Sequence, residues 1–340
     1  MYAVAIGAAE RLAREPLAGG SDVLPATEEA IFVLFAGGNP YTHVMQSTVP
    51  VGSPFVYPPG EMLFYMPAYV AGLDLHRVET WTGILTIAAI ALTGARAGWG
   101  QAALPAMLYA TWGIAAFRTT DGGNDVSAAF LVVVAFTALA FPGRFAFLLS
   151  ALAMGWAVAF KQFAVLVLPL ALRHLALAGL DWRRYALASL GTATVMTLPF
   201  FVMDPGAFVR QQVQALTFHQ EVWGANLLHA LASSGTDVSG LLGLFFVLEL
   251  ALTLGAVLLA LRSRLDTLGR TLVVACLLVT VPLLLARWTT QSYYVYAVTL
   301  ALLGIAVLAV TAPGYQGGTR SRDHAPQVRP DSSSPASTTA

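Results

Sequence analysis

Apolar residues recur along the chain in long runs that are separated by short polar turns. Nine such runs occupy residues 81–95, 101–118, 126–142, 144–160, 162–179, 185–203, 240–262, 269–286 and 293–312. A tilted helix needs roughly 17 to 25 apolar residues to cross a bilayer, and most of the runs have about that length. The pattern therefore predicts about nine transmembrane helices between residues 81 and 312.

The first 80 residues lack such a run. Residues 1–18 have only a short apolar stretch before Glu10 and Arg11, too short for a full span, so we interpret them as a truncated start or the remnant of a first transmembrane helix. Residues 19–80 are predicted to form an extracytoplasmic loop with interfacial helices. Because segment 61–73 is short and has prolines in and before it, it is predicted to be an interfacial or re-entrant helix.

Two later segments also differ from the apolar runs. Residues 204–239 open with Pro205 at a helix-like start, and their apolar positions are spaced for a helix that lies on the bilayer surface. Residues 313–340 are rich in Pro, Ser and Thr, with almost nothing to bury, which predicts a disordered tail. The expected fold class is all-α, a polytopic transmembrane helical bundle with extracytoplasmic loops.

Composition supports a membrane protein. Hydrophobic residues make up 57% of the 340 positions and charged residues only 11%, and the mean hydropathy is +0.70. A soluble domain would have too few polar side chains to cover its surface at these values. The formal net charge is zero, which argues against a nucleic-acid partner, and a single cysteine excludes an internal disulfide.

The positions of Lys and Arg predict the orientation. Alternate turns and the tail carry Arg96, Arg144, Arg173, Arg183, Arg184, Arg262, Arg264, Arg270, Arg320 and Arg322. By the positive-inside rule these turns and the C-terminus are cytoplasmic, so the chain is expected to be a multi-pass protein of the plasma membrane. The other turns hold few cations and most of the acids, namely Asp22, Glu28, Glu29, Glu61, Asp121, Asp125, Asp204, Glu221 and Asp237.

Signatures of soluble enzymes are absent from the sequence. It has no nucleotide-binding glycine motif, no H-E-x-x-H and no D-x-D, the pattern with which nucleotide-sugar enzymes usually hold a metal. Its six histidines are scattered without ligand spacing. We therefore expect neither a metal site nor a cofactor.

The predicted outer face carries a series of motifs in a fixed order. They read SDVLPATEEAIFVLFAGGNPY, FVYPPGEMLFYMPAYVAG, DGGND, GWAVAFKQFAVLVLPLAL, LPFFVMDPGAFVRQ and RWTTQSYYVY. In this order they resemble the GT-C superfamily of integral-membrane glycosyltransferases, particularly the polyprenyl-phosphate-sugar branch that includes mannosyltransferases. The resemblance covers residue 22 to about residue 312.

This resemblance implies a reaction and its partners. The chain would transfer a hexose, with mannose foremost, from a polyprenyl-phosphate carrier to a lipid or glycan acceptor on the extracytoplasmic face, with inversion. The donor, the acceptor and membrane lipids are the expected partners. Because cations alone can stabilise a monophosphate leaving group, no metal is required.

Such a reaction needs a carboxylate and a cationic clamp on one membrane face. Resemblance to the first-loop acid of the family implies that Asp22 is the base, with Glu28 and Glu29 as alternates. Asp22 would otherwise serve only as the cap of a helix that starts near Pro25, and the two glutamates would be ordinary solvated charges.

Three residues are predicted to hold the donor phosphate: Lys161, Gln162 and Arg287. Lys161 interrupts an apolar run, where a lysine at the bilayer centre would cost about 2.5 to 3.5 kcal/mol. The other interpretations are a snorkelling lysine and an arginine that ends its helix at the interface.

A further set is predicted to contact the sugar or the acceptor: Tyr41, Tyr57, Asp121, Asn124, Asp125, His219 and Trp223. The alternatives are headgroup anchors for the tyrosines, a plain polar turn for the residues from 121 to 125, and a simple connector around 219 to 223. Two rival functions remain open. A secondary transporter would show paired halves with broken helices, which the sequence lacks, and a truncated, inactive paralogue would fit the short start.

Overall fold

The computed structural model describes residues 1–17, 20–96, 98–217 and 222–308. His219 and the predicted tail 313–340 lie outside these ranges. In the described part the chain forms fifteen α-helices. They are α1 Tyr2–Leu12, α2 Val23–Phe35, α3 Pro59–Val70, α4 Leu75–Ala95, α5 Trp99–Thr111, α6 Gly113–Phe117, α7 Asp125–Leu139, α8 Arg144–Phe160, α9 Phe163–Leu177, α10 Trp182–Met203, α11 Pro205–Thr217, α12 Leu227–Ser233, α13 Leu242–Arg262, α14 Leu268–Leu285 and α15 Gln291–Val307.

Two strands of two residues each complete the described structure. Strand β1, Trp223–Gly224, pairs in parallel with β2, Trp288–Thr289. The expected fold class, an all-α polytopic transmembrane bundle, is confirmed. The described part of each predicted run is mainly helical, and four helices, α4, α10, α13 with its preceding turn, and α14, are long and apolar enough to cross a membrane.

Two helix boundaries differ from the prediction. The first span begins at Leu75 because the Asp74 side chain accepts a hydrogen bond from the His76 amide at 2.9 Å and so caps α4. The predicted span 101–118 is two helices, α5 and α6, because the backbone is extended at Trp112 between them.

The core lies around α7. This helix packs against α4, α8 and α15, and nearly every side chain along it is buried. In contrast, α10 and α13 are mostly exposed. Only 17% of the apolar 18-residue stretch of α10, and 11% of that of α13, is buried inside the protein. Since these helices expose Leu, Val and Phe, they are the surfaces that face the lipid.

Helix α1 is part of the bundle, packed against α4 and α5. Its Arg11 is fully buried and donates hydrogen bonds to the carbonyl oxygens of Tyr109 at 3.2 Å and Ala110 at 3.1 Å. These carbonyls belong to the last turn of α5, where helical acceptors lack intrahelical partners. Residues 1–18 were interpreted as a remnant, and in the structure their described part supports the end of a neighbouring helix.

The predicted interfacial segments are helical. Pro58 is extended and Pro59 occupies the first position of α3, as proline favours, and α11 starts at Pro205 as expected. A cluster of aromatic rings joins the two regions, with Tyr41 at 5.0 Å from Phe208 between ring centroids. The position of both helices relative to a bilayer stays a prediction.

Candidate functional site

The glycine-rich turn before α7 docks onto the chain before α2. The Leu17 amide donates to the Thr120 carbonyl at 2.8 Å, and the Leu24 amide donates to the Gly122 carbonyl at 2.9 Å. Gly122 has φ +82°, and a Cβ there would lie 2.4 Å from the Ser21 carbonyl oxygen. Only glycine fits this approach, which brings the segment around Asp22 beside the start of α7.

Lys161 lies between α8 and α9, where the backbone is extended. Its Nζ donates to Asn124 Oδ1 at 2.8 Å and forms an ion pair with Asp125, and it lies 5.0 Å from the centre of the Tyr293 ring. Burial lowers the pKa of Lys161, but the charge and hydrogen bond of Asp125, together with Tyr293 and Glu61, outweigh burial and raise the pKa overall. The lysine is thus a buried, paired cation, as its 6% exposure requires.

Glu61, in the first turn of α3, is fully buried. Its Oε1 lies 2.6 Å from the Thr27 hydroxyl, while Oε2 has no hydrogen-bond partner. Burial raises the pKa of this carboxyl to about 8. Glu61 was not among the predicted site residues, although an acid at the start of a short apolar helix, just after Y-P-P-G, is a usable signal.

Tyr57 connects this group to Asp22. Burial raises the pKa of the Tyr57 phenol, and the charges of Glu61, Asp22 and Asp125 add to that effect. The phenol therefore lies among three carboxyl groups that come from three different segments. We call Glu61, Asn124, Asp125, Lys161 and Tyr293 the Lys161 cluster, and the Tyr57 phenol is influenced electrostatically by both this cluster and Asp22.

Asp22 occupies the N-cap position of α2 but makes no capping hydrogen bond with its side chain. Its Oδ2 instead accepts a hydrogen bond from the Val49 amide at 2.6 Å. The carboxylate is half-buried and retains lone pairs for another donor. Its role as a base stays a prediction, and capping is not what the side chain does.

Of the two alternate candidates for the base, Glu29 already accepts hydrogen bonds from several donors. Its carboxylate accepts from the Gln46 amide at 2.9 Å, the Ser47 hydroxyl at 2.6 Å and His43 Nε2 at 2.8 Å. Burial opposes ionisation, but these hydrogen bonds dominate and lower the pKa of Glu29 to about 2. Glu29 thus anchors the loop after α2 and is a poor proton acceptor, whereas Glu28 is exposed.

Arg287 and Trp223 are brought together in a second region. The Trp223 amide donates to the Arg287 carbonyl at 3.2 Å, and the rings of Trp223 and Trp288 lie 5.0 Å apart between centroids. The Tyr294 hydroxyl donates to the Ala225 carbonyl at 2.7 Å. We call Trp223, Gly224, Trp288 and Thr289 the aromatic strand pair. Helix α15 links it to the Lys161 cluster, since Tyr293 and Tyr294 are adjacent.

Three other predicted site residues have surroundings that do not match the contacts predicted for them. Tyr41 is 1% exposed and donates its hydroxyl to the Tyr57 carbonyl at 2.8 Å, so its ring offers no surface to a sugar in this arrangement. Asp121 accepts from Arg118 and from the Gly123 amide, and thereby stabilises its own turn. Gln162 is exposed at the start of α9.

Solved structures with this fold are known. ArnT from Cupriavidus metallidurans superimposes with a TM-score of 0.57 in the apo state and 0.59 when bound to undecaprenyl phosphate, at 16% identity. The oligosaccharyltransferase from Archaeoglobus fulgidus gives 0.52 at 15% identity. These alignments cover 90%, 91% and 90% of this chain. The chain has the GT-C fold. No family model and no curated protein sequence matches it.

The chain spans 58% of the length of the ArnT structures and 50% of that of the oligosaccharyltransferase. At these identities the likeness concerns the architecture, so the chemistry has to be argued from the residues of the chain itself. The site offers a paired cation in Lys161, a half-buried carboxylate in Asp22 and a buried acid in Glu61. Within the described ranges no group of three or more His, Cys, Asp or Glu side chains is arranged to hold a metal ion.

Proposed function

We propose that this protein is a membrane glycosyltransferase. It transfers a hexose, with mannose as the first candidate, from a polyprenyl-phosphate carrier to a lipid or glycan acceptor, with inversion. The reaction takes place on the extracytoplasmic face of the plasma membrane, and the C-terminus is cytoplasmic. The donor, the acceptor and the surrounding lipids are its partners, and no metal takes part.

The observation that carries this proposal is the buried Lys161 cation at the end of the bundle. Nζ has three protons, of which one is directed to Asn124 and one to Asp125. The third is available to a phosphate oxygen. A fixed cation in a site that excludes water stabilises the negative charge that develops on the leaving phosphate.

The other half of the reaction needs a base. Asp22 is half-buried, is held by the Val49 amide and acts electrostatically on Tyr57, as two acids of the Lys161 cluster do. In this position it would accept the proton of the acceptor hydroxyl while Lys161 holds the departing phosphate. Separate groups for nucleophile and leaving group suit an inverting displacement in one step.

The remaining residues would bind the two sugars. Tyr57 is half-buried and is influenced by the charges of both Asp22 and the Lys161 cluster, and its ring would lie against the donor hexose. Trp223 is 49% exposed beside Arg287 and would form part of the acceptor subsite, with Arg287 as a second contact for phosphate. Asn124 and Asp125 would contribute indirectly, because their side chains hold the Lys161 ammonium group in place.

The test is sugar transfer by the purified full chain in liposomes. Polyprenyl-phosphate mannose with a radiolabel is the first donor, and the other polyprenyl-phosphate hexoses follow. We expect transfer by the wild type, a loss of at least roughly 100-fold for Lys161→Gln, as removal of one stabilising group causes, and no change for Arg264→Gln. Arg264 is an exposed cation between α13 and α14 and serves as the matched control.

Two results would contradict the proposal. One is the absence of transfer from every polyprenyl-phosphate hexose. The other is uptake of free sugar into the same liposomes without transfer, which would identify a transporter. Transfer that Lys161→Gln leaves unchanged would keep the transferase and remove Lys161 from the phosphate site.

A further inference from the structure

The Thr27 hydroxyl has two oxygen neighbours but only one proton. Its Oγ1 lies 2.8 Å from the Val23 carbonyl oxygen and 2.6 Å from Glu61 Oε1. A single hydroxyl proton serves only one of the two contacts. Threonine in a helix commonly donates to the carbonyl four residues earlier, as it does here. When the proton goes to Val23, the 2.6 Å contact with Glu61 takes its proton from Glu61, whose carboxyl is then neutral.

Two buried polar atoms near this carboxyl have no hydrogen-bond partner, namely Glu61 Oε2 and Asn124 Nδ2. One is an acceptor and the other a donor, and their residues are 0% and 1% exposed. Asn124 is also among the side chains that affect the ionisation of Glu61, so the two are neighbours. Because Asn124 Oδ1 already accepts from Lys161, a small movement that joins Asn124 to Glu61 would satisfy both atoms.

We propose that Glu61 is a positioning residue for the phosphate-binding lysine. As a neutral acid it donates to Thr27 and accepts from Asn124, which fixes the amide whose oxygen holds Lys161. It also leaves Asp125 as the single anion in contact with the lysine. This inference rests on the proposed function, and it adds a role for a residue that touches neither substrate.

The charges around Glu61 explain why the neutral form matters. Titratable groups from several segments act on Glu61 or are acted on by it: Tyr41 and Tyr57 in the chain between α2 and α3, Tyr65 on α3, Glu79 on α4, and Lys161 between α8 and α9. Asp125, at the start of α7, is paired with this lysine. The positive charge of Lys161 and the negative charge of Asp125 offset each other. Ionised Glu61 would add one negative charge beside an anionic ligand and weaken its binding.

This ionisation falls within an accessible pH range. Burial raises the pKa of Glu61 to about 8, while the pKa of Lys161 is raised above its ordinary value. Between pH 7.5 and 9.5 a phosphate monoester is already doubly charged, since its second pKa is about 6. One extra charge about 10 Å from a doubly charged phosphate, at an effective dielectric constant of about 20, changes affinity by roughly 10²-fold. Because the ligand binds the neutral form and the pKa is about 8, the change between pH 7.5 and 9.5 is limited to roughly tenfold.

The experiment measures the dissociation constant of undecaprenyl phosphate for the purified full chain at pH 7.5 and 9.5. We expect wild-type affinity to fall roughly tenfold across this range. Glu61→Gln should bind as the wild type does at pH 7.5 and lose the pH dependence, because a side-chain amide supplies the same donor and acceptor as a neutral acid. Glu61→Ala should bind more weakly than the wild type at pH 7.5, because Asn124 is no longer held, and its affinity should not depend on pH in this range. Glu249→Gln, which changes a partly buried acid on α13, should follow the wild type.

Two outcomes would overturn the inference alone: Glu61→Gln with the pH dependence of the wild type, or Glu61→Ala with wild-type affinity at pH 7.5. Both leave binding by the wild type intact. Absence of binding and of transfer in the wild type would instead remove the proposed function, and this inference with it. If Glu61→Ala does not fold, as thermal unfolding would reveal, the pH dependence of Glu61→Gln decides.

Discussion

The Lys161 cluster and the aromatic strand pair are two neighbouring regions with opposite construction. Lys161 is 6% exposed and is held by side chains from two other elements, the start of α7 and the start of α15. Trp223 is 49% exposed, and its strand is held mainly by backbone hydrogen bonds. A buried charge depends on its particular partners, whereas an exposed ring on a backbone pair does not. The first region is suited to chemistry and the second to recognition.

The largest expected effect comes from breaking the buried pair. Lys161→Ala leaves Asp125 buried without a cation, which costs about 3 to 5 kcal/mol of stability and abolishes transfer. Lys161→Ala combined with Asp125→Asn removes both charges, so stability should recover in large part while transfer stays absent. Thermal unfolding and the transfer assay, run on the same preparations, separate the two effects. Equal stability of the single and double variants would show that the pair is not coupled.

Replacement of Asp22 should affect the rate strongly and stability little, unlike replacement of Lys161, which affects both. In Asp22→Asn the side-chain oxygen can still accept from the Val49 amide, so the loop stays in place. Loss of the base should lower kcat by about 10² to 10⁴. Glu28→Gln, an exposed acid on the same helix, is the control and should behave as the wild type. Wild-type kcat in Asp22→Asn would remove Asp22 as the base.

The sequence predicted the architecture better than it predicted contacts. An apolar run in lipid must form a helix because unpaired backbone groups are too costly there, so the pattern of runs located the apolar helices, four of which are long and apolar enough to cross a membrane. Lys161, Asn124 and Asp125 were each selected, yet nothing in the sequence showed that they touch. Tyr41 was chosen for its ring, but its environment consists of aromatic side chains far along the chain.

Glu61 was missed for the same physical reason. Its contact with Thr27 joins residues 34 positions apart, and its burial depends on how α2 and α3 pack. Local periodicity carries no information on such pairs. The strand pairing of Trp223 with Trp288 is likewise invisible in segments of two residues each. Long-range packing, more than local propensity, therefore determines which polar residues form the site.

Replacement of Glu29 should lower stability moderately and in a pH-dependent way, whereas replacement of Asp22 should mainly lower the rate. Its pKa falls from an ordinary 4.5 to about 2 in the folded protein, so it stabilises the fold above pH 4.5 and this contribution is lost as the pH falls through about 2. Its side chain is 16% exposed, and the hydrogen bonds donated by the loop, more than long-range charge, supply this contribution. Glu29→Gln should lower stability at pH 7 by about 2 kcal/mol. The difference from the wild type should shrink between pH 5 and pH 2, as unfolding measured over this range will show. A difference that is constant with pH would contradict the assignment.

The smallest effect is expected at the aromatic strand pair, and it tests whether this region recognises the acceptor. Trp223→Ala removes one exposed ring from the pair, while the backbone hydrogen bonds of β1 remain. Aromatic contacts of this kind contribute about 0.5 to 1.5 kcal/mol, so KM for the acceptor should rise about 2- to 12-fold. Neither kcat nor KM for the donor should change, because the ring does not contact Lys161 or Asp22. Trp223→Phe retains an aromatic face and should restore most of the acceptor affinity. A fall in kcat with unchanged acceptor KM would instead place the strand pair in the catalytic step and erase the distinction between the two regions.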